Sequence, residues 1–149
     1  MPTTVQDIMR KTLFTIADST SIQETAKIMK DKKVSSLLVL DKYEKPVGLV
    51  TERDLVRKVC VEDLRTSQVT NKEIMSSPLV TIDSKSSPTD AIDLMLRSSL
   101  RHLLVIDNES EDTSRPIGIT TPLDLIRYDE YTRDEEHRDV VEMILEYYI

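Results

Sequence analysis

Apolar and polar positions follow one scheme that runs along the chain twice. Leu37 to Leu40 and Leu103 to Ile106 are wholly apolar runs, closed by Asp41 and Asp107. A short run that is apolar on both faces predicts a buried strand. Upstream, Ile22, Thr25, Ala26, Ile28 and Met29 fall on one stripe at helical spacing. Ser21 with Glu24 three residues on predicts the start of that helix, because hydroxyl and carboxylate satisfy each other's backbone N–H groups. Its counterpart opens at Ser87-Pro88-Thr89-Asp90, with proline at the first helical position. Phe14-Thr15-Ile16 reads as a short extended piece, Tyr43-Glu44-Lys45-Pro46 as a turn, and Val47 to Val50 as the second strand of a hairpin. Thr51 then begins a helix carrying Leu55, Val56 and Val59. The order is strand, helix, strand, strand, helix, twice over, which predicts a mixed α/β (α+β) fold.

The repeat is literal. Asp7-Ile8-Met9 matches Glu73-Ile74-Met75, Thr15-Ile16 matches Thr81-Ile82, and Lys27-Ile28-Met29 matches Asp93-Leu94-Met95, all at a spacing of 66. After a polar, acidic insertion within Asn108 to Arg115 the spacing becomes 70, so that Gly48 aligns with Gly118. The expected division is a first repeat over 1–60, a linker over 61–70, a second repeat over 71–128 and a terminal helix over 129–149. A unit of about 60 residues buries its apolar face poorly alone, so the copies should pack on each other. Asp134-Glu135-Glu136 favours the start of the terminal helix through the dipole. Its apolar face (Val140, Val141, Ile144, Leu145, Tyr148) is better suited to a second subunit than to a repeat already complete without it.

Composition narrows the function classes. Twenty Lys and Arg against 27 Asp and Glu give a net charge of −7, and aromatics make up 4% of the chain. An acidic, aromatic-poor chain is a poor nucleic-acid binder. No apolar run approaches the roughly 18 residues of a membrane span, and the N-terminus lacks a signal pattern. Cys60 stands alone, so no internal disulfide forms, and a reducing, cytoplasmic setting is expected. At the end of an apolar helical stripe it should be buried packing. His102 and His137 lack partners at metal-ligand spacing, which argues against a zinc site. With no glycine-lysine phosphate loop and no nucleophile–base pair, no catalytic residue is expected and the chain should not be an enzyme. Met9, Met29, Met75 and Met95 recur with the repeat and read as core.

The candidate chemistry lies around the chain's only two glycines, in Gly48-Leu49-Val50-Thr51-Glu52-Arg53-Asp54 and Gly118-Ile119-Thr120-Thr121-Pro122-Leu123-Asp124. A strand-to-helix turn leaves the first N–H groups of the helix without partners, and with the dipole they favour an anion. Thr51 and Thr121 stand at that turn with a hydroxyl. Asp54 and Asp124 follow three residues later, where a carboxylate can accept two hydrogen bonds from a ribose cis-diol. The same Thr-x-x-Asp spacing is also an ordinary capping box. Glycine frees space where the strand passes another backbone or a ligand.

These two blocks, the two Asp/Glu-Ile-Met starts and the two Leu-Leu-Val-Leu/Ile-Asp strands closely resemble a tandem pair of CBS (cystathionine β-synthase) domains over residues 5 to 128, of the stand-alone type. The resemblance implies a pseudo-twofold module with clefts that take AMP, ADP, ATP, S-adenosylmethionine or sometimes NAD, with Mg²⁺ beside a polyphosphate. It further implies a homodimer and a regulated enzyme, transporter or transcription component as partner. Carried over by position, Thr51, Asp54, Thr121 and Asp124 would hold ribose and phosphate. Ser35 and the pair Arg101-His102, which precede the buried strands, would line the clefts. Arg53, Arg101 and His102 would serve phosphates, their plainer role being solvated rim charges and a hydrogen-bonded histidine. Ile16, Val34, Ile82 and Leu100 would flank adenine, their plainer role being core. The function implied is ligand sensing without bond making or breaking. The alternative is a structural dimerisation module with unused clefts.

Overall fold

The structure is a computed structural model that describes residues 2–112 and 115–126. In chain order its elements are α1 (Val5–Ile8), β1 (Thr15–Ala17), α2 (Ile22–Lys32), β2 (Ser36–Leu40), β3 (Pro46–Thr51), α3 (Glu52–Asp54), a π-helical stretch (Leu55–Cys60), α4 (Asn71–Ile74), β4 (Thr81–Asp83), α5 (Pro88–Ser98), β5 (Leu103–Ile106) and β6 (Gly118–Thr120). Residues 122–126 are helical and are called α6. The mixed α+β class and the twofold strand–helix–strand–strand order are as the apolar pattern predicts. The proposed terminal helix over 129–149 lies outside the described residues. Among the described residues no helix is long and apolar enough to cross a membrane.

Each copy builds one three-stranded sheet. β1 runs parallel to β2 and β2 antiparallel to β3; β4, β5 and β6 repeat that arrangement. The middle strands are buried on both faces, which is why Leu37-Leu38-Val39 and Leu103-Leu104-Val105 show no alternation. The Ser21 hydroxyl accepts the Glu24 N–H at 3.2 Å, and the Ser87 hydroxyl accepts the Asp90 N–H at 3.0 Å. These caps fix where α2 and α5 begin. α2 lays Ile22, Thr25 and Met29 into the core and α5 lays Ile92 and Met95. Ala26, expected on the apolar stripe, is exposed.

The chain forms two compact units that cut across sequence order. One is Leu13–Leu79; among the described residues the other joins 2–12 to those from 80 to 126. Each Ile-Met segment thus belongs with the sheet of the other copy. The Val5 N–H donates to the Ser86 carbonyl at 2.8 Å and the Gln6 N–H to the Ser84 carbonyl at 2.9 Å. The equivalents 66 residues on are Asn71 to Thr20 at 3.0 Å and Lys72 to Asp18 at 2.9 Å. Both segments enter through one turn of helix, α1 or α4. Asp7 and Glu73 close these turns by accepting the Thr4 and Thr70 backbone N–H at 2.8 and 2.7 Å. Thr-x-x-Asp and Thr-x-x-Glu before Ile-Met were the available sequence signal.

The glycines are explained by the same docking. Met75 and the Ser76 carbonyl lie against Gly48, and Met9 and the Arg10 carbonyl lie against Gly118. Of the two reasons weighed for glycine there, the close backbone is the one observed.

Two expectations about the helix after Thr51 fail. Beyond Asp54 its hydrogen bonding widens to the π pattern, which changes which side chains share a face. Val59 is buried, but Val56 and Cys60 are exposed, so Cys60 is not core packing.

One buried polar group stands out. Thr120 is fully buried, its hydroxyl has no hydrogen-bond partner, and it pairs with core residue Leu103 across the sheet. The equivalent position in the first copy is Val50, also fully buried. Thr120→Val should therefore raise stability by about 1 kcal/mol, since an unsatisfied buried hydroxyl costs that much or more. A lower urea midpoint for the variant would refute this account.

Candidate ligand-binding turns

Both glycine blocks form the predicted strand-to-helix turn. Thr51 ends β3 and caps α3. The Asp54 carboxylate folds back so that Oδ2 accepts the Thr51 N–H at 3.0 Å and the Thr51 hydroxyl at 3.1 Å. In the second copy, Asp124 Oδ2 accepts the Thr121 N–H at 2.9 Å and hydroxyl at 3.2 Å. At the first turn the Thr51 hydroxyl also accepts the Asp54 N–H at 3.2 Å, which completes a capping box, whereas at the second turn the Asp124 N–H goes to the Thr121 carbonyl at 3.0 Å. Asp54 and Asp124 are nonetheless buried, at 6% and 5% exposure. An ionised carboxylate at such depth needs partners for both oxygens.

The second oxygen receives those partners, and they differ between copies. Asp54 Oδ1 accepts the Ser76 hydroxyl at 3.0 Å and lies 3.1 Å from Lys58 Nζ. Lys58 also donates to the Ile74 carbonyl at 2.9 Å, which ties the π-helical stretch to α4. Asp124 Oδ1 accepts from Arg10 Nε at 2.9 Å. Ser76 and Arg10 occupy equivalent positions, each directly after the methionine of its segment. Their backbones are bridged alike. Ser76 exchanges N–H and carbonyl with Leu49 at 2.8 and 3.0 Å, and Arg10 does so with Ile119 at 2.8 and 3.0 Å. Sequence reasoning missed Ser76, Arg10 and Lys58. The first two were readable from the 66-residue spacing once the Ile-Met segments were known to dock. Lys58 was readable as the i+4 partner of Asp54.

The remaining candidates divide by unit. Ser35 adjoins the first turn, its carbonyl accepting the Glu52 N–H at 3.0 Å. Arg53 is half-buried on α3 in the same unit. Arg101 and His102 are half-buried before β5. Ile16 belongs to the first core with Val34 packed against it, and Ile82 to the second with Leu100 packed against it. All four thus take part in the packing of their own unit's core. Among the described residues no group of three or more metal-ligating side chains occurs.

The family description "CBS domain" matches residues 5–60 and 72–131. The chain belongs to the CBS-domain family. CBS pairs are regulatory modules. An uncharacterized Methanopyrus kandleri protein is 28% identical over 127 residues, spanning 85% of this chain and 63% of that one. The solved CBS domain protein of unknown function from Thermoplasma acidophilum superposes with a TM-score of 0.83 at 24% identity, covering 99% of this chain and 77% of that one. That likeness concerns the fold. The CBS domain pair of protein MJ0100, solved with 5′-methylthioadenosine and S-adenosyl-L-methionine, is 28% identical with a TM-score of 0.74. It covers 88% of this chain and 98% of that one.

Proposed function

We propose that this CBS pair is a ligand sensor. It holds an adenosine compound at the Thr-x-x-Asp turns and passes the binding on, as a shift between conformations, to a protein it regulates. The observation that carries the reading is the pair of buried carboxylates, each at a strand-to-helix turn and each with one oxygen held by a side chain from a docked segment. Such an oxygen can exchange a neighbouring donor for a ribose hydroxyl without losing its charge partner. The adenosine compounds in the MJ0100 pair support the ligand class. AMP, ADP, ATP and S-adenosylmethionine are the candidates, with Mg²⁺ accompanying a polyphosphate. Thr51, Asp54, Thr121 and Asp124 are the proposed ligand contacts, with Arg53, Arg101 and His102 serving phosphate and Ser35, Ile16, Val34, Ile82 and Leu100 bordering the base. Ligand binding that favours one of two arrangements shifts their populations by its difference in affinity. The protein acts as a homodimer in the cytoplasm and makes or breaks no bond.

The fold-back of both aspartates onto their threonines favours a second reading, a structural dimerisation module whose aspartates only cap helices. A thermal-shift panel on nucleotide-stripped protein separates the two. A sensed ligand at 100 times its Kd adds about 2.7 kcal/mol, a rise of about 5–10 °C for a chain of this size. Loss of that rise in Asp124→Asn or Asp54→Asn identifies the turn in use. No rise with any adenosine compound at millimolar concentration leaves the dimerisation module.

A further inference from the structure

Arg10 and Ser76 stand at equivalent positions, with matching backbone bridges to the strand of the glycine block and the same acceptor, the second oxygen of the motif aspartate. They differ in what remains after that bond. A serine hydroxyl has one hydrogen, and Ser76 spends it on Asp54. A guanidinium has five N–H donors in a planar fork, and the described bond of Arg10 to Asp124 uses Nε alone. The two terminal nitrogens are left at a side chain that is 43% exposed. Two backbone hydrogen bonds to Ile119 pin the residue from which this side chain extends, and the Asp124 bond orients its Nε edge. The fork is thus pre-organised, and little further entropy is lost when it takes an anion.

We infer that Arg10 selects an anionic adenosine ligand at the Asp124 turn. Asp124 would receive the ribose hydroxyls, and the terminal guanidinium nitrogens would bind phosphate as a fork. The Asp54 turn has Ser76 at this position; its Lys58 is drawn back onto the Ile74 carbonyl, and its Arg53 is not among the partners that hold Asp54, so no guanidinium is oriented by the motif aspartate there. The two turns therefore differ in how firmly a cationic fork is oriented beside the motif aspartate. This inference rests on the sensor reading above and adds to it a residue and a selectivity.

The test is calorimetric titration of AMP and of uncharged adenosine into the full chain, its Arg10→Ser variant (which copies Ser76) and Arg10→Lys. Loss of a charge-assisted bond to phosphate should weaken AMP about 10- to 100-fold in Arg10→Ser. Adenosine should change by less than about threefold and serves as the control for an intact site. Arg10→Lys keeps the charge without the fork and should fall between wild type and Arg10→Ser. Equal weakening of both ligands in Arg10→Ser would show that Arg10 only shapes Asp124, and unchanged AMP affinity would show that it does not reach the ligand. Either result overturns the inference while the sensor reading stands. Wild-type protein that takes neither AMP nor adenosine overturns the inference, while the sensor reading falls only if ADP, ATP and S-adenosylmethionine also fail in the thermal-shift panel.

Discussion

Thr25→Ala is expected to destabilise the protein by about 2–3 kcal/mol, although it removes only a hydroxyl and a methyl group. Thr25 and Asn71 are both fully buried. The Thr25 hydroxyl donates to Asn71 Oδ1 at 2.8 Å, and Asn71 Nδ2 donates to the Ala17 carbonyl at 3.0 Å. Among the described residues Thr25 is the only donor to Asn71 Oδ1, so the variant leaves a buried acceptor without a partner. The equivalent pair in the second copy is Ala91 with Val5, both at 0% exposure. The double variant Thr25→Ala/Asn71→Val copies that apolar solution. It should recover at least about 1 kcal/mol relative to the sum of the single changes, because removing both partners strands neither. Urea unfolding of the four proteins measures the coupling. Additive single costs would mean that the hydrogen bond contributes nothing beyond its separate groups. The same contrast tells the two docking segments apart, since Asn71 placed against Ala91 would bury an amide with no partner.

Gly118→Ala is the second large effect. The new Cβ would overlap the Met9 side chain and lie 2.8 Å from the Arg10 carbonyl oxygen. A methionine end can swing away, but a carbonyl in a two-bond bridge to Ile119 cannot move without losing that bridge. The expected cost is about 3 kcal/mol, the upper part of the range for overpacking. Met9→Ala in the same chain should relieve only the side-chain part, leaving the variant well below wild type. Because the displaced segment carries Arg10, AMP affinity should fall with stability. A Gly118→Ala protein with an unchanged unfolding midpoint would disprove the close approach of strand and segment.

Much of the fold was legible because its signals are local. Both-faced apolar runs give buried strands, serine caps give helix starts, and a 66-residue echo gives two copies. The Thr-x-x-Asp turns were legible for the same reason, since their chemistry lies within four consecutive residues. The helix after Asp54 was misread where its turns widen, because a stripe assigned at α-helical spacing places Val56 and Cys60 on the wrong face once the bonding becomes π.

Taken by itself, the sequence determined the repeat, the order of elements, the two capped turns and the acidic, apolar-cored character of the chain. Each follows from propensity, capping or periodicity over a few neighbours. Tertiary structure alone decided that residues 1–12 dock on the second copy and 70–79 on the first, and therefore which docked side chain, Arg10 or Ser76, bonds the second oxygen of each buried aspartate. No periodicity encodes that choice. It follows from where a glycine leaves room for a methionine, and from which buried polar groups find partners when segments distant in sequence meet.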